Sequence, residues 1–249
     1  MKPSLLRRSV SEFLGSAMLL AAVVGSGIMA ERLAAGNIAL ALLANSLATG
    51  AALIAIILAL ESISGPHLNP VVTLADSLMG GLPWKEAPLY ILVQCAGAIA
   101  GVVATHIMFA LPLMTASTHV RSGPAQVFSE FLATFGLLAV IWGCVRRRPA
   151  ATPYAVGAYI TAAYWFTSST SFANPAVTLA RCLTDTFAGI RPTDALPFMA
   201  AQLLGAIAAT LLFRWLLPAE PTPKKPVKPL NPWKTPQPTH RTCSLPRTP

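Results

Sequence analysis

The stretch HLNPVVTLA at residues 67–75 recurs in altered form as FANPAVTLA at residues 172–180. In each copy an Asn-Pro pair stands at the edge of an apolar run. Asparagine is a favoured helix N-cap, and proline suits the first helical position because its missing N–H would have no partner there. The two copies therefore predict helices that begin at Asn69-Pro70 and at Asn174-Pro175.

The apolar segments that follow, residues 69–79 and 174–184, are too short to cross a membrane. Each is about 16 Å long at roughly 1.5 Å per residue, which is about half of a hydrocarbon core of roughly 30 Å. Two such half-helices that enter from opposite faces and meet at their N-termini would together cross the bilayer once. Two positive dipole ends and the side-chain NH₂ groups of both asparagines would then meet at the midplane, where they suit neutral, oxygen-bearing solutes and repel cations.

The composition of the 249-residue chain is that of an integral protein of a lipid bilayer. Hydrophobic residues make up 54% of it and charged residues only 11%, with a mean hydropathy of +0.60, so a large soluble domain is excluded. The four cysteines have neither CxxC nor Cys/His ligand spacing, so no metal site is predicted. The sequence has neither a nucleophile with a base nor a phosphate-binding glycine loop, so nothing in it indicates an enzyme. We expect no cofactor and no nucleic-acid partner.

Three landmarks recur in one order, which indicates an internal duplication. Ser-Glu-Phe-Leu at 11–14 recurs at 129–132, the Asn-Pro motif follows in both halves, and Gln-x-x-Gly-Ala-Ile-Ala at 94–100 recurs at 202–208. Each half, 1–115 and 116–217, thus predicts three spans and one half-helix. The spans are expected near 10–30, 38–60, 87–110, 127–145, 152–170 and 195–217. Because three is odd, the second half inserts upside down as an inverted repeat.

The basic residues predict the orientation of the chain. With both termini in the cytoplasm, the inner segments before the tail hold seven basic residues and the outer loops four, namely Lys2, Arg7, Arg8, Lys85, Arg146, Arg147 and Arg148 against Arg32, Arg121, Arg181 and Arg191. This bias favours cytoplasmic N- and C-termini in a cell inner (plasma) membrane. Residues 218–249 contain ten prolines in 32 residues and predict a disordered cytoplasmic tail.

Glu12 and Glu130 occupy equivalent places near the starts of the two halves. In a transporter, buried acids of this kind would indicate proton coupling. The structural alternative is that each carboxylate accepts N–H groups from the irregular backbone before a half-helix, and we favour it for both acids. His67 precedes the first Asn-Pro pair, and a pore-lining role and a structural capping role both remain open for it.

The doubled Asn-Pro motif, SGPHLNP at 64–70, the glutamate at the start of each half and the six spans together resemble the aquaporin and aquaglyceroporin channels, the major intrinsic protein family. The resemblance covers roughly residues 8–217. It implies an all-α membrane protein in which six transmembrane helices and two re-entrant half-helices form an inverted repeat. It also implies a right-handed bundle with a pore in each subunit of a homotetramer.

Two positions depart from the pattern of that family. Val71 stands where the first motif usually has alanine, whereas Ala176 keeps the alanine in the second motif. Val177 stands three residues after the second asparagine, where family members usually carry an arginine at a narrow outer constriction. Arg181 lies four residues further along, and we do not expect it to replace that arginine.

The other constriction positions of the family are transferred to this chain by their distance from the Asn-Pro motifs. They fall on Thr49, Ala162 and Ser171, all of which are small. Water-specific members have an aromatic residue and a histidine there, and glycerol channels have two aromatic residues with the arginine. A wide, uncharged constriction resembles the bacterial arsenic-operon members of the family, which pass arsenic and antimony hydroxides and methylated arsenicals. We therefore expect a passive channel for these solutes besides glycerol and water. A general water and glycerol facilitator and an inverted-repeat secondary transporter remain the alternatives.

Overall fold

The computed structural model describes residues 3–217, and the chain is entirely helical and irregular within that range. Its α-helices are α1 (Leu5–Leu33), α2 (Ile38–Ser64), α3 (Pro70–Leu78), α4 (Ala87–Met108), α5 (Pro124–Arg147), α6 (Thr152–Phe166), α7 (Pro175–Arg181) and α8 (Pro192–Leu216). Six of them fall on the predicted spans, and the two short ones follow the Asn-Pro motifs. The predicted tail, residues 218–249, lies outside the described residues.

Five of these helices, α1, α2, α4, α5 and α8, are long and apolar enough to cross a membrane. Helix α6 has only 15 residues, although a 3₁₀ turn at Pro149–Ala151 extends its start. It ends earlier than the predicted span 152–170 because Thr167 has an extended backbone and Thr170 is left-handed, with φ 61°. The segment that leads to α7 is therefore longer and less regular than the sequence predicted.

The half-helices α3 and α7 begin as the Asn-Pro motifs predict. Asn69 Oδ1 accepts a hydrogen bond from the backbone N–H of Val71 at 3.1 Å, and Asn174 Oδ1 accepts one from Ala176 at 3.0 Å. Both asparagines have extended backbones outside the helix, and each is followed by proline at the first helical position. The half-helices are thus capped by side chains that satisfy N–H groups which would otherwise lack partners.

The two halves of the chain pack in matched ways. Helix α1 packs on α2 and α4, as α5 packs on α6 and α8, while α2 and α6 join the halves. Gly97 of α4 and Gly205 of α8 are equivalent, and a Cβ at either would collide with the backbone carbonyl of Phe13 or Phe131. These glycines permit the close helix approach that the sequence indicated.

One buried carboxylate in the first half holds the loop before α3. Glu12 is fully buried and accepts hydrogen bonds from the backbone N–H groups of His67 at 3.0 Å and Leu68 at 2.8 Å. The side-chain amide of Gln94 donates to the same carboxylate at 2.8 Å. Hydrogen bonds to an ionised acceptor are roughly twice as strong as neutral ones, so this carboxylate compensates irregular backbone that water cannot reach in a membrane.

The second half repeats the arrangement with Glu130. Its carboxylate accepts from the backbone N–H groups of Phe172 and Ala173, both at 2.9 Å, and from the amide of Gln202 at 2.6 Å. Ala173 and its counterpart Leu68 have left-handed backbones, with φ of 48° and 53°, which residues with a Cβ rarely adopt. Each of the two carboxylates therefore holds in place the strained residue that comes immediately before an Asn-Pro pair.

We expect Glu12→Gln to lower the free energy of unfolding by roughly 2–4 kcal/mol, because the amide NH₂ would face a buried N–H donor and leave it without an acceptor. Glu31→Gln, at an exposed carboxylate near the end of the same helix, is the matched control and should change stability by less than about 0.5 kcal/mol. The measurement is the thermal midpoint of the detergent-solubilised protein. Equal midpoints for the two variants would show that the loop does not depend on Glu12.

Candidate functional site

An elongated cavity of about 430 Å³ runs between the helices, past the N-termini of α3 and α7. Helix α2 lines it with residues at four-residue spacing, Thr49, Leu53, Ile57 and Glu61, and α6 lines it with Thr152, Val156, Ile160 and Tyr164. Four-residue spacing keeps side chains on one helix face, and twelve residues from Thr49 to Glu61 correspond to about 18 Å at 1.5 Å per residue. The cavity is therefore a channel along the helices.

The two ends of the cavity differ in charge. At one end, which we call the Arg181 end, Thr49 lies beside Tyr164. Ser171 and Arg181 also line this end. The other end, which we call the His67 end, is lined by Glu61, Ser64, Gly65, Pro66, His67, Asp76, Pro149 and Thr152. The first end thus contains a guanidinium, and the second contains two carboxylates.

Asn69 and Asn174 line the cavity between these ends. Asn69 Nδ2 donates to the backbone carbonyl of Ala173 at 2.8 Å, and Asn174 Nδ2 donates to the carbonyl of Leu68 at 2.8 Å. A side-chain amide nitrogen has two hydrogens, so each asparagine keeps one N–H beyond this cross-pairing. Since each Oδ1 already caps its own half-helix, the pair offers hydrogen-bond donors to a solute.

The remaining residues of the two motifs divide between packing and lining. Pro70 and Pro175 begin the half-helices. Val71 and Ala176, the next residues, are buried, and neither is among the residues that line the cavity. The residues after them, Val72 and Val177, line it from the two halves. The replacement of alanine by valine at position 71 therefore adds bulk to the core and leaves the donors unobstructed.

The structure corrects one of the four predicted constriction residues. Thr49, Ser171 and Val177 line the cavity, but Ala162 is exposed on the outside of α6. Ala162 lies two residues from Tyr164, which at about 100° per residue is roughly the opposite side of the helix. Tyr164 takes its place, with its hydroxyl 3.3 Å from Thr49 Oγ1. The Arg181 end therefore contains an aromatic residue that counting from the motif missed.

The structure also corrects the expectation for Arg181. Its side chain is 2% exposed and lines the cavity. Its Nε donates to the carbonyl of Ala188, and its guanidinium carbon lies 3.4 Å from the centroid of the Phe172 ring. Val177 and Arg181 are four residues apart and share a helix face, which is the signal in the sequence that could have placed both at the cavity. This end of the cavity is charged.

His67 combines the two roles that the sequence left open. It lines the cavity, and its Nδ1 lies 3.1 Å from Thr73 Oγ1. Its Nε2 lies 3.5 Å from Asp76 Oδ2, so the ring ties the loop to the half-helix α3. The buried Glu12 and Glu130 are not among the lining residues, and within residues 3–217 the lining carboxylates are Glu61 and Asp76.

Comparison with known proteins finds relatives over most of this chain. The Major intrinsic protein family profile matches residues 1–167 and 149–232. Aquaglyceroporin AqpS of Rhizobium meliloti is 55% identical over 218 residues, which cover 87% of this chain and 93% of that protein. The probable aquaporin NIP7-1 of Arabidopsis thaliana is 28% identical over 230 residues, covering 90% and 82%.

A solved structure confirms the predicted fold class. The aquaglyceroporin from Plasmodium falciparum superimposes with a TM-score of 0.65 at 23% identity, over 86% of this chain and 95% of that one. With its doubled Asn-Pro motif, its cross-paired asparagines and a family profile that matches most of its length, the chain belongs to the major intrinsic protein family.

Proposed function

We propose that this chain is a passive channel for water, glycerol and other small neutral solutes. The observation that carries the proposal is the cross-paired Asn69 and Asn174, which offer N–H donors within a cavity wall that is otherwise largely apolar. A neutral solute exchanges hydrogen bonds with water for bonds to these donors. A cation meets two helix N-termini that carry about half a positive charge each. Family membership makes the chain a membrane channel and not an enzyme.

The relatives support glycerol among the solutes and a bacterial plasma membrane as the location. The relative that is 55% identical is described as an aquaglyceroporin and comes from a bacterium. We place both termini in the cytoplasm because of the bias of basic residues, which puts the His67 end of the cavity inside and the Arg181 end outside. We also propose a homotetramer in which each subunit has its own pore.

Metalloid hydroxides such as arsenite and antimonite, and methylated arsenicals, belong to the proposed solute range, as in arsenic-operon channels. Thr49, Ser171 and Val177 are small side chains at or near the Arg181 end, which leaves room beside the asparagines. An uncharged trihydroxide presents hydroxyl groups as glycerol does, and the methyl groups of Val72 and Val177 suit a methylated solute.

The two alternatives are a secondary transporter and a water and glycerol facilitator, and the residues that line the cavity bear on the first of them. A secondary transporter needs an acid that faces the cavity near the substrate. Glu12 and Glu130 are fully buried and each accepts three N–H groups. The lining acids, Glu61 and Asp76, lie at the His67 end and not beside the asparagines. A water and glycerol facilitator without metalloid transport differs only in solute range. Stopped-flow swelling of proteoliposomes against water, glycerol, arsenite and methylated arsenicals separates these cases, and absence of all flux would refute the channel.

We expect Asn69→Asp and Asn174→Asp to reduce glycerol flux by on the order of tenfold, since losing one hydrogen bond of about 1.4 kcal/mol corresponds to that factor. The carboxylate removes the donor and attracts cations, so potassium leakage should rise. Asn37→Asp is the matched control, because Asn37 also caps a helix, α2, but is exposed and does not line the cavity. Unchanged glycerol flux and unchanged leakage in both pore variants would remove the asparagines from the solute path.

We expect Val177→Arg to lower the ratio of methylated-arsenical permeability to water permeability by about tenfold, a barrier change of roughly 1.4 kcal/mol. A second guanidinium narrows the Arg181 end, while single-file water needs little width and bonds to the new donors. Val177→Leu adds slight bulk without donors and should keep the ratio. Permeabilities are compared at matched protein density. A ratio that does not fall in Val177→Arg places the narrowest point elsewhere.

A further inference from the structure

We propose that Arg181 is the specificity-determining cation of this channel and supplies the charge barrier that Val177 lacks. The proposal rests on the channel function and is independent of which neutral solutes pass. It makes the pore a donor-lined filter with a fixed positive charge at one end. The size-determining residue and the charge-determining residue are then separate and lie one helical turn apart.

The path of the helix explains how Arg181 reaches the cavity. Val177 and Arg181 lie on one face of α7, and four residues separate their Cα atoms by about 6 Å along the axis at 1.5 Å per residue. Side chains on an α-helix lean towards its N-terminus, so the long arginine extends back towards Val177. Because valine is short, it leaves that space free. Both side chains accordingly line the same cavity.

The guanidinium is fixed in place on two sides. Its Nε donates to the Ala188 carbonyl, and its guanidinium carbon lies 3.4 Å from the centroid of the Phe172 ring. Phe172 is itself held by an edge-to-face contact with Phe198, with ring centroids 5.4 Å apart. Among the described residues, neither terminal nitrogen of Arg181 has a hydrogen-bond partner. These nitrogens are therefore donors available to a solute, and the Tyr164 hydroxyl lies at the same end.

Within residues 3–217 no carboxylate pairs with this charge. The ion pairs of that part of the chain join Arg8 to Glu86, His67 to Asp76 and Arg191 to Asp194.

A second buried guanidinium adds to the field. Arg121 lies 5.1 Å from the Phe172 ring and donates to the backbone carbonyls of Gly189, Ser169 and Phe187. The pKa of His119, in the adjacent loop, is lowered first by burial and then by the positive charges of Arg121 and Arg181. Asp194, which accepts a hydrogen bond from the backbone N–H of Arg121, forms its ion pair with Arg191, and neither Arg121 nor Arg181 forms one within residues 3–217. The Arg181 end is therefore electropositive, and cations are repelled there.

The test compares Arg181→Gln with wild type in proteoliposomes, measuring water flux, glycerol flux and potassium or proton leakage on the same preparation. A unit charge about 6 Å from a cation, at an effective dielectric constant of about 20, changes cation passage by on the order of a hundredfold. We expect leakage to rise by up to that factor while water still passes. Arg191→Gln removes an arginine near the same end that does not line the cavity, and it should stay cation-tight.

Two further variants make the outcome specific. Val177→Arg in the Arg181→Gln background returns a guanidinium to the same helix face and should restore cation exclusion, which a merely structural role of Arg181 would not explain. If the Arg181→Gln variant conducts water and still excludes cations as well as the wild type does, the proposal is overturned. Wild-type protein that passes neither water nor glycerol would instead overturn the channel function.

If Arg181→Gln does not reach the membrane, Val177→Glu tests the same charge with Arg181 in place. A carboxylate four residues before an arginine on one helix face pairs with it and neutralises it. We expect more cation leakage from Val177→Glu than from Val177→Gln, which has the same shape without the charge. Equal leakage from these two variants would overturn the role of Arg181.

Discussion

Two hydrogen bonds of 2.8 Å, from Asn69 to the Ala173 carbonyl and from Asn174 to the Leu68 carbonyl, join the two halves of the chain at their centre. They fix the half-helix N-termini against each other and orient the remaining N–H groups. Leu68 and Ala173, which supply the carbonyls, lie in irregular loops and have left-handed backbones, so these loops need the buried carboxylates to hold them. The cross-pairing therefore depends on Glu12 and Glu130, and the cavity depends on the cross-pairing.

The cavity that results is asymmetric in charge although the fold is nearly symmetric. Donors occupy its centre, unpaired guanidinium charge lies at the Arg181 end, and Glu61 and Asp76 lie at the His67 end. The repeat thus builds a symmetric scaffold, and in the proposed channel the single residues that differ between the halves set selectivity. Neutral solutes pass such a path at little electrostatic cost, while a cation must approach fixed positive charge that forms no ion pair within residues 3–217.

Features that depend on local sequence were predictable. The helix starts at Asn69 and Asn174 follow from capping chemistry. The duplication follows from the repeated sequence motifs. The role of the buried acids follows from the need to satisfy backbone N–H groups at membrane depth. Ala162 was misplaced because counting from a motif assumes a fixed loop length, whereas α6 ends at Phe166 and an irregular segment follows. Arg181 was missed because its reach depends on side-chain length and on the Phe172 ring, which only the tertiary structure brings beneath it.

In the proposed channel, the donor pair and its surrounding charges form a passive path for neutral solutes that excludes cations. The most direct measurement is glycerol uptake into proteoliposomes with and without an imposed proton or sodium gradient, with membrane current recorded on the same protein. We expect uptake that follows the glycerol gradient alone and is unchanged by either ion gradient, with no current. Uptake that accelerates with an ion gradient, or that carries charge, would contradict it.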